Sequence, residues 1–339
     1  QRVIQSRVAD DLFWLGRYSE RADWTMRVLR SALRRIEEDN GPGTGLRAAC
    51  RCLDTLAHNG SAQAGIGGRA AAGRAVEHLC AELIRGPRGK RTLEQTVASL
   101  YRVAFVTRDR LSLEAWQTLS QFRPGDPWGT SLATATPAEM LDLLDEGLLA
   151  LAAFNGLTHE NMTRNYGWSF LDMGRRIERA YNLAEAILAL FVPMPAAEDE
   201  SGSLLLLLEL ADSFITYRSR YRLDPMLGLV LDLLMLDDTN PRSLCFQLEG
   251  VSRHMEGLPD AKQGASLAED RRIILAALTS IRLADVEGIA KEEDGATLER
   301  LMQEQLALLP ELSNALGRHY FNLTDETPHR VQTRVEPRS

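Results

Sequence analysis

The chain has 339 residues, and its 47 acidic side chains outnumber its 39 lysines and arginines, for a net charge of -8. That length can bury a large core, as one big helical domain or two smaller ones. The negative balance argues against a nucleic-acid binder, which would carry a basic footprint.

Leu, Ala, Arg and Glu dominate and favour helix, while Val, Ile and Thr are too scattered for a sheet protein. Helical periodicity starts near Val3 and runs to about Glu38, where the turn residues of Asn40 to Gly45 end it. A helix is expected from Leu46 to Ala57, then a flexible small-residue loop from Asn59 to Gly73. Helices follow near Ala75 to Ile84, Thr92 to Thr107 and Asp109 to Phe122. Thr136-Pro137 opens the next one with a cap residue and a proline at the first helical position. Helix continues in pieces to about Phe191. The acidic, Pro-bearing stretch after it is a candidate boundary near 193–203. Beyond it, helices are expected at Ser203 to Arg222, Pro225 to Leu236, Pro241 to Met255, Leu267 to Ile289 and Ala296 to Phe321. Asn240-Pro241 reads as a second cap-plus-proline start. The predicted fold is all-α, a multi-helix bundle spanning 1–323, with an extended or disordered tail at 324–339.

The four cysteines are Cys50, Cys52, Cys80 and Cys245. They form no disulfide framework for a chain this long. With His58 and His78 the first three match no familiar zinc spacing, so they read as small buried residues in a reducing, cytoplasmic compartment, and no metal is expected. The charged start is no signal peptide, and the apolar runs are too short and interrupted to span a bilayer. The chain opens without methionine and enters a helix at once, as a piece of a longer protein would. The basic turn from Gly86 to Thr92 lacks phosphate-loop spacing, and no cofactor is expected here.

The first helix poses the central question. One stripe, Leu12, Leu15, Ser19, Ala22, Met26, Leu29 and Leu33, is core. A second stripe, roughly opposite, holds Asp10, Trp14, Arg17, Arg21, Trp24 and Val28. A helix apolar on two sides is packed on two sides, yet this one carries arginines between tryptophans. The segment Gly16-Arg17, Glu20-Arg21-Ala22 has an echo 158 residues later in Gly174-Arg175, Glu178-Arg179-Ala180. Shifting the core stripe gives Phe170, Met173, Ile177, Ala180, Ala184, Ile187 and Phe191. Shifting the second gives Trp168, Asp172, Arg175, Arg179, Asn182 and Ala186, with Trp and Asp in exchanged order. Two equivalent central helices follow, related by a pseudo-two-fold axis.

A buried arginine needs a carboxylate. Pairing within each helix, Arg17 with Glu20 and Arg175 with Glu178, is worth only about 0.2–0.5 kcal/mol if exposed. Cross-pairing between the helices, with Asp10 and Asp172 included, would fix their register. Three readings stay open. The lattice is purely structural; or Arg17, Arg21, Arg175 and Arg179 grip an anionic group; or Glu20 or Glu178 acts as a general acid or base. Trp14 and Trp168 flank the arginines, and Arg164 and Asn161 are candidates for a pocket rim.

The stretches "SRVADDLFWLGRYSERA" and "LTHENMTRNYGWSFLDMGRRIERA" resemble the two hallmark segments of the Alpha-E domain family, a bacterial all-helical family. "FITYRSRY", "LLMLDDTNPRSLCFQL" and "RHYF" resemble later family segments. The resemblance implies association with, or fusion behind, a circularly permuted ATP-grasp amidoligase that activates a carboxylate and passes it to an amine. ATP and Mg would belong to that partner domain. It further implies a peptide or small carboxylate substrate, with the characteristic charges at Arg17, Glu20, Arg21, Arg175, Glu178 and Arg179.

Overall fold

The computed structural model describes residues 6–37, 44–57, 68–85, 92–125, 127–128, 135–259 and 267–321. Every regular element among them is helical. In chain order they are α1 (Ser6–Glu37), α2 (Thr44–Leu56), α3 (Gly68–Arg85), α4 (Leu93–Val106), α5 (Leu113–Ser120), α6 (Pro137–Asn161) and α7 (Tyr166–Phe191). There follow α8 (Ala197–Leu210), α9 (Phe214–Tyr221), α10 (Leu227–Leu231), α11 (Leu244–Glu256), α12 (Glu269–Arg282), α13 (Val286–Ile289) and α14 (Ala296–Leu316). Both α10 and α14 end in a wider π turn, at Asp232–Leu236 and Gly317–Phe321.

Side-chain oxygens set where several of these helices begin. Thr92, Ser112, Asn165 and Ser243 each accept a hydrogen bond from the backbone three residues on, satisfying a donor that the first turn leaves free. Thr136 and Glu139 complete a reciprocal capping box before α6, with Pro137 at its first position. Several boundaries depart from the sequence expectation, and the single helices expected at Ser203 to Arg222 and Leu267 to Ile289 are each broken, at residues 211–213 and 283–285. Residues 68–73 are helical, so the small-residue loop ends earlier, and the rest of it, with His58, lies outside the described residues. Capping by Ser112 delays α5 to Leu113, after a short 3₁₀ turn. The acidic stretch proposed as a boundary is largely the start of α8, which packs against α2. Asn240 does not cap a helix at Pro241; its amide donates to Leu233 O and Ser213 Oγ, and Ser243 caps α11 instead. The tail from 322 onward also lies outside the described residues.

Two helices form the centre. α1 and α7 pack along each other; α2, α4 and α6 cover α1, while α11 and α14 cover α7. The core stripe of α1 is buried from Leu12 to Leu33, and every member of its shifted counterpart on α7 is buried too. Gly16 and Gly174 mark the crossing. A Cβ on Gly16 would stand 2.0 Å from the Leu171 carbonyl oxygen, and one on Gly174 would stand 2.1 Å from the Phe13 carbonyl oxygen. Each glycine thus faces the carbonyl three residues before its counterpart, the reciprocity expected of a pseudo-two-fold. Contacts further along join residues 161, 157 and 159 apart. The separation stays near constant, so the two helices run in the same direction and their N-termini share one end of the molecule.

A methyl group at either crossing glycine must push two backbones apart. Gly16→Ala and Gly174→Ala are each expected to destabilise the fold by roughly 3 kcal/mol, the upper part of the overpacking range. Gly156→Ala, in α6 where an added Cβ meets nothing within 4 Å, is expected to stabilise by about 0.5–1 kcal/mol. Urea unfolding of the three variants checks both signs.

Candidate functional site: a buried arginine–carboxylate lattice beside an open cleft

The close crossing brings the charged residues of α1 and α7 against each other. Arg179 donates from Nε and Nη2 to the two oxygens of Glu20, at 2.6 and 2.7 Å. Arg21 makes the equivalent bidentate pair with Glu178, at 2.6 and 3.0 Å. These two pairs are related by the 158-residue offset. They are cross-helix, as the register argument requires, and neither Arg17 with Glu20 nor Arg175 with Glu178 pairs within its helix.

The symmetry breaks at the next turn back. Arg175 donates to Asp172 Oδ1 and to Asn155 Oδ1, both at 2.6 Å. The position equivalent to Asp172 on α1 is Trp14, which offers no carboxylate. Arg17 therefore lies 5.4 Å from the Trp14 ring centroid and reaches across to Glu178 Oε2 at 2.6 Å and Ser313 Oγ at 2.8 Å. Glu178 so holds two arginines. The second cation beside Glu20 is Arg242, at 4.0 Å. Arg176, with no counterpart on α1, donates to Asp172 Oδ2 at 2.6 Å and fits because residue 250 is glycine.

Asp10 does not join this network. It accepts from the Trp14 indole, and burial together with Asp11 raises its pKa from the ordinary aspartate value. Trp168, exchanged with Asp172 in the pattern, also stands apart: its ring carries the Arg164 guanidinium at 4.0 Å and meets His254 edge-on at 4.9 Å. Its indole nitrogen is buried without a hydrogen-bond partner.

Electrostatics follow from the pairing. Burial alone would raise the pKa of Glu178, but the charges of Arg17 and Arg21 outweigh it and hold the group at about 2. Burial works the same way on Glu20, where Arg179, Arg242 and Arg175 prevail and lower it. Asp172, despite its burial, is held well below its usual range by His254, Arg175 and Arg176. Burial, and then the charge of Arg179, pushes the part-buried Arg242 down to about 10. Six guanidiniums (Arg17, Arg21, Arg175, Arg176, Arg179, Arg242) meet three buried carboxylates (Glu20, Asp172, Glu178). Asp23, paired with Arg27, and the exposed Asp212 lie at the edge. The lattice is thus net positive. Its carboxylates are ionised, saturated and 1–3% exposed, so they suit holding charge better than moving a proton. The space touching Arg21, Glu178 and Asn182 is a cavity of about 30 Å³, water-sized.

A much larger opening lies at the shared N-terminal end of the two central helices. This cleft, about 890 Å³, is lined by Val8 and Leu12 of α1 and by Tyr166, Gly167 and Ser169 of α7. Asp109, Arg110, Asn161, Arg164, Arg253 and His254 also line it. His254 connects cleft and lattice, its Nε2 lying 2.7 Å from Asp172 Oδ2. Arg242, Arg176 and His254 escaped the sequence reading because each comes from, or points to, a segment far from the hallmark helices. Among the described residues no group of His, Cys, Asp or Glu is placed to hold a metal ion. The four cysteines are free and buried, and burial pushes the thiols up, to about 11 for Cys50 and about 12 for Cys52 and Cys80. No helix among the described residues is long and apolar enough to cross a membrane.

These features define an all-helical domain organised around a buried, inter-helix arginine–carboxylate lattice. The Alpha-E family profile, described as "a predicted alpha-helical domain with a conserved ER motif", matches residues 4–321. The chain belongs to the Alpha-E family. It is 29% identical over 283 residues to the uncharacterized proteins Rv2567 of Mycobacterium tuberculosis and Mb2597 of Mycobacterium bovis. The match covers 79% of this chain and 31% of each relative, so the chain spans about a third of their length. No solved structure matches.

Removing one charge leaves its partners buried and unpaired, at a cost of about 3–5 kcal/mol. Glu178→Gln is expected to destabilise by that amount at pH 7, measured by urea unfolding. The pKa of Glu178 is depressed in the fold from 4.5 to about 2, so its contribution is present above pH 4.5 and is lost as pH falls toward 2. That contribution is roughly 3 kcal/mol. A wild-type stability profile flat across this window would contradict the pairing.

Proposed function

We propose that this domain is the helical accessory component of an ATP-grasp amidoligase system and that it binds a carboxylate-bearing substrate. The amidoligase part of this reading rests on the family resemblance; the anion part rests on one observation. The cleft opens where the N-termini of two parallel helices meet, against a lattice with surplus positive charge, and its charged lining among the described residues is Arg110, Arg164 and Arg253 with one acid, Asp109, 3.3 Å from Arg110. Helix N-termini and guanidiniums both favour anions. Its volume lies within the range of small-molecule sites, about 300–1,000 Å³.

This reading moves the substrate from the lattice to the cleft beside it. Arg17, Arg21, Arg175 and Arg179 each hold a carboxylate within the fold, so they position helices and supply field, whereas the cleft has room. The alternatives are a catalytic domain using Glu20 or Glu178, and a scaffold in which the Arg–Glu pairs are structural. The saturated, buried state of both glutamates favours the structural role for the lattice itself. ATP and magnesium would belong to the ATP-grasp partner, and this domain would need no cofactor of its own.

Calorimetric titration with glutarate, a simple dicarboxylate, tests the anion reading. Wild type is expected to bind, and Arg253→Ala, an exposed cleft residue, to bind at least fivefold more weakly with an unchanged melting temperature. Equal affinity of the two proteins, or no heat with either, would contradict it. Amide formation by a circularly permuted ATP-grasp protein, with and without this chain, tests the accessory role: no dependence on the chain would sink it.

A further inference from the structure

His254 sits where the closed lattice meets the open cleft. Its Nε2 lies 2.7 Å from Asp172 Oδ2. Asp172 also receives Arg175 on one oxygen and Arg176 on the other, is 3% exposed, and is therefore an ionised acceptor with no proton to donate. The hydrogen bond fixes the tautomer: Nε2 carries the hydrogen, and in the neutral ring Nδ1 is left with its lone pair. Among the described residues Nδ1 has no hydrogen-bond partner, and the residue lines the 890 Å³ cleft. The edge of the imidazole against Trp168, at 4.9 Å, and the Asp172 bond together hold the ring in place.

We propose that His254 is a proton acceptor for a substrate bound in the cleft, with Asp172 as its positioning residue. The arrangement matches what general base catalysis needs: a ring nitrogen left unpaired on a residue that lines a cleft, backed by an oriented carboxylate. The substrate class is an anion that also bears a hydroxyl or amine: Arg164 and Arg253 favour the negative charge, and the proton taken up by Nδ1 needs an O–H or N–H to come from. In the step, the substrate X–H bond breaks and its electron pair stays on X. An Nδ1–H bond forms, and the imidazolium charge is stabilised by Asp172. Arg175 and Arg176 anchor Asp172 so that it orients the ring without itself being protonated. Arg164, across Trp168, and Arg253, beside His254 in sequence, are the other charged groups at this corner.

The inference rests on the cleft reading above, and one experiment separates the two. The full chain is labelled with ¹⁵N-histidine and observed by NMR at about pH 9, where an ordinary imidazole is neutral. The expected His254 signature is Nε2–H with bare Nδ1; an Nδ1–H tautomer overturns the proposal. Asp172→Asn is expected to mix the tautomers, and because Asp172 also holds two arginines its melting temperature is measured alongside. If that variant unfolds, the wild-type tautomer and the ligand response decide. Addition of malate, a dicarboxylate that also bears a hydroxyl, is expected to move the His254 Nδ1 resonance. Binding seen by calorimetry with His254 unmoved overturns the proton-acceptor role and leaves the cleft standing. No binding at all overturns the cleft reading and the role together.

Discussion

The structure depends on two parallel helices approaching so closely that backbone meets backbone. Gly16 and Gly174 permit it, each standing against a carbonyl of the other helix. At that distance the side chains one turn further on cannot avoid each other, and they are charged. Glu20 against Arg179 and Glu178 against Arg21 and Arg17 leave neither carboxylate bare. The apolar stripes drive burial. The ion pairs decide register, because sliding either helix by a residue would leave charges unpaired in a low-dielectric interior.

Parallel direction has a further consequence. Antiparallel neighbours cancel their dipoles, whereas parallel ones add them. α1 and α7 place both N-termini at one end, and that end is where the molecule is open. The lattice meets the same opening through Asp172 and His254. The cleft proposed above for an anion would thus follow from how the core is held together.

Much of this was legible in the sequence. The repeated Gly-Arg and Glu-Arg-Ala pattern, with its matching apolar stripes, identifies both central helices and their equivalence, and it demands inward-facing charge. What the pattern could not give was the choice of partner. In the sequence, Trp14 and Asp172 show only as the same two residue types in exchanged order. In three dimensions that exchange redirects Arg17 across the interface and keeps Arg175 on its own helix. The supporting residues were also hidden. Arg242 follows a turn that resembles ordinary capping chemistry, and His254 sits in a helix with no distinctive spacing. Asp10, equivalent to Trp168, was expected in the lattice, but it lies one turn too far toward the end and finds Trp14 instead. Local periodicity reports faces; it does not report which distant loop folds over them.

The most direct test of the lattice is a double-mutant cycle between Glu20 and Arg179, using alanine at each position and unfolding free energies in urea. Residues in one buried network couple by about 0.5–3 kcal/mol, and a bidentate pair at 2.6 and 2.7 Å is expected near the top of that range. A coupling indistinguishable from zero would mean that these groups do not face one another, and the account of the central helices would fail with it.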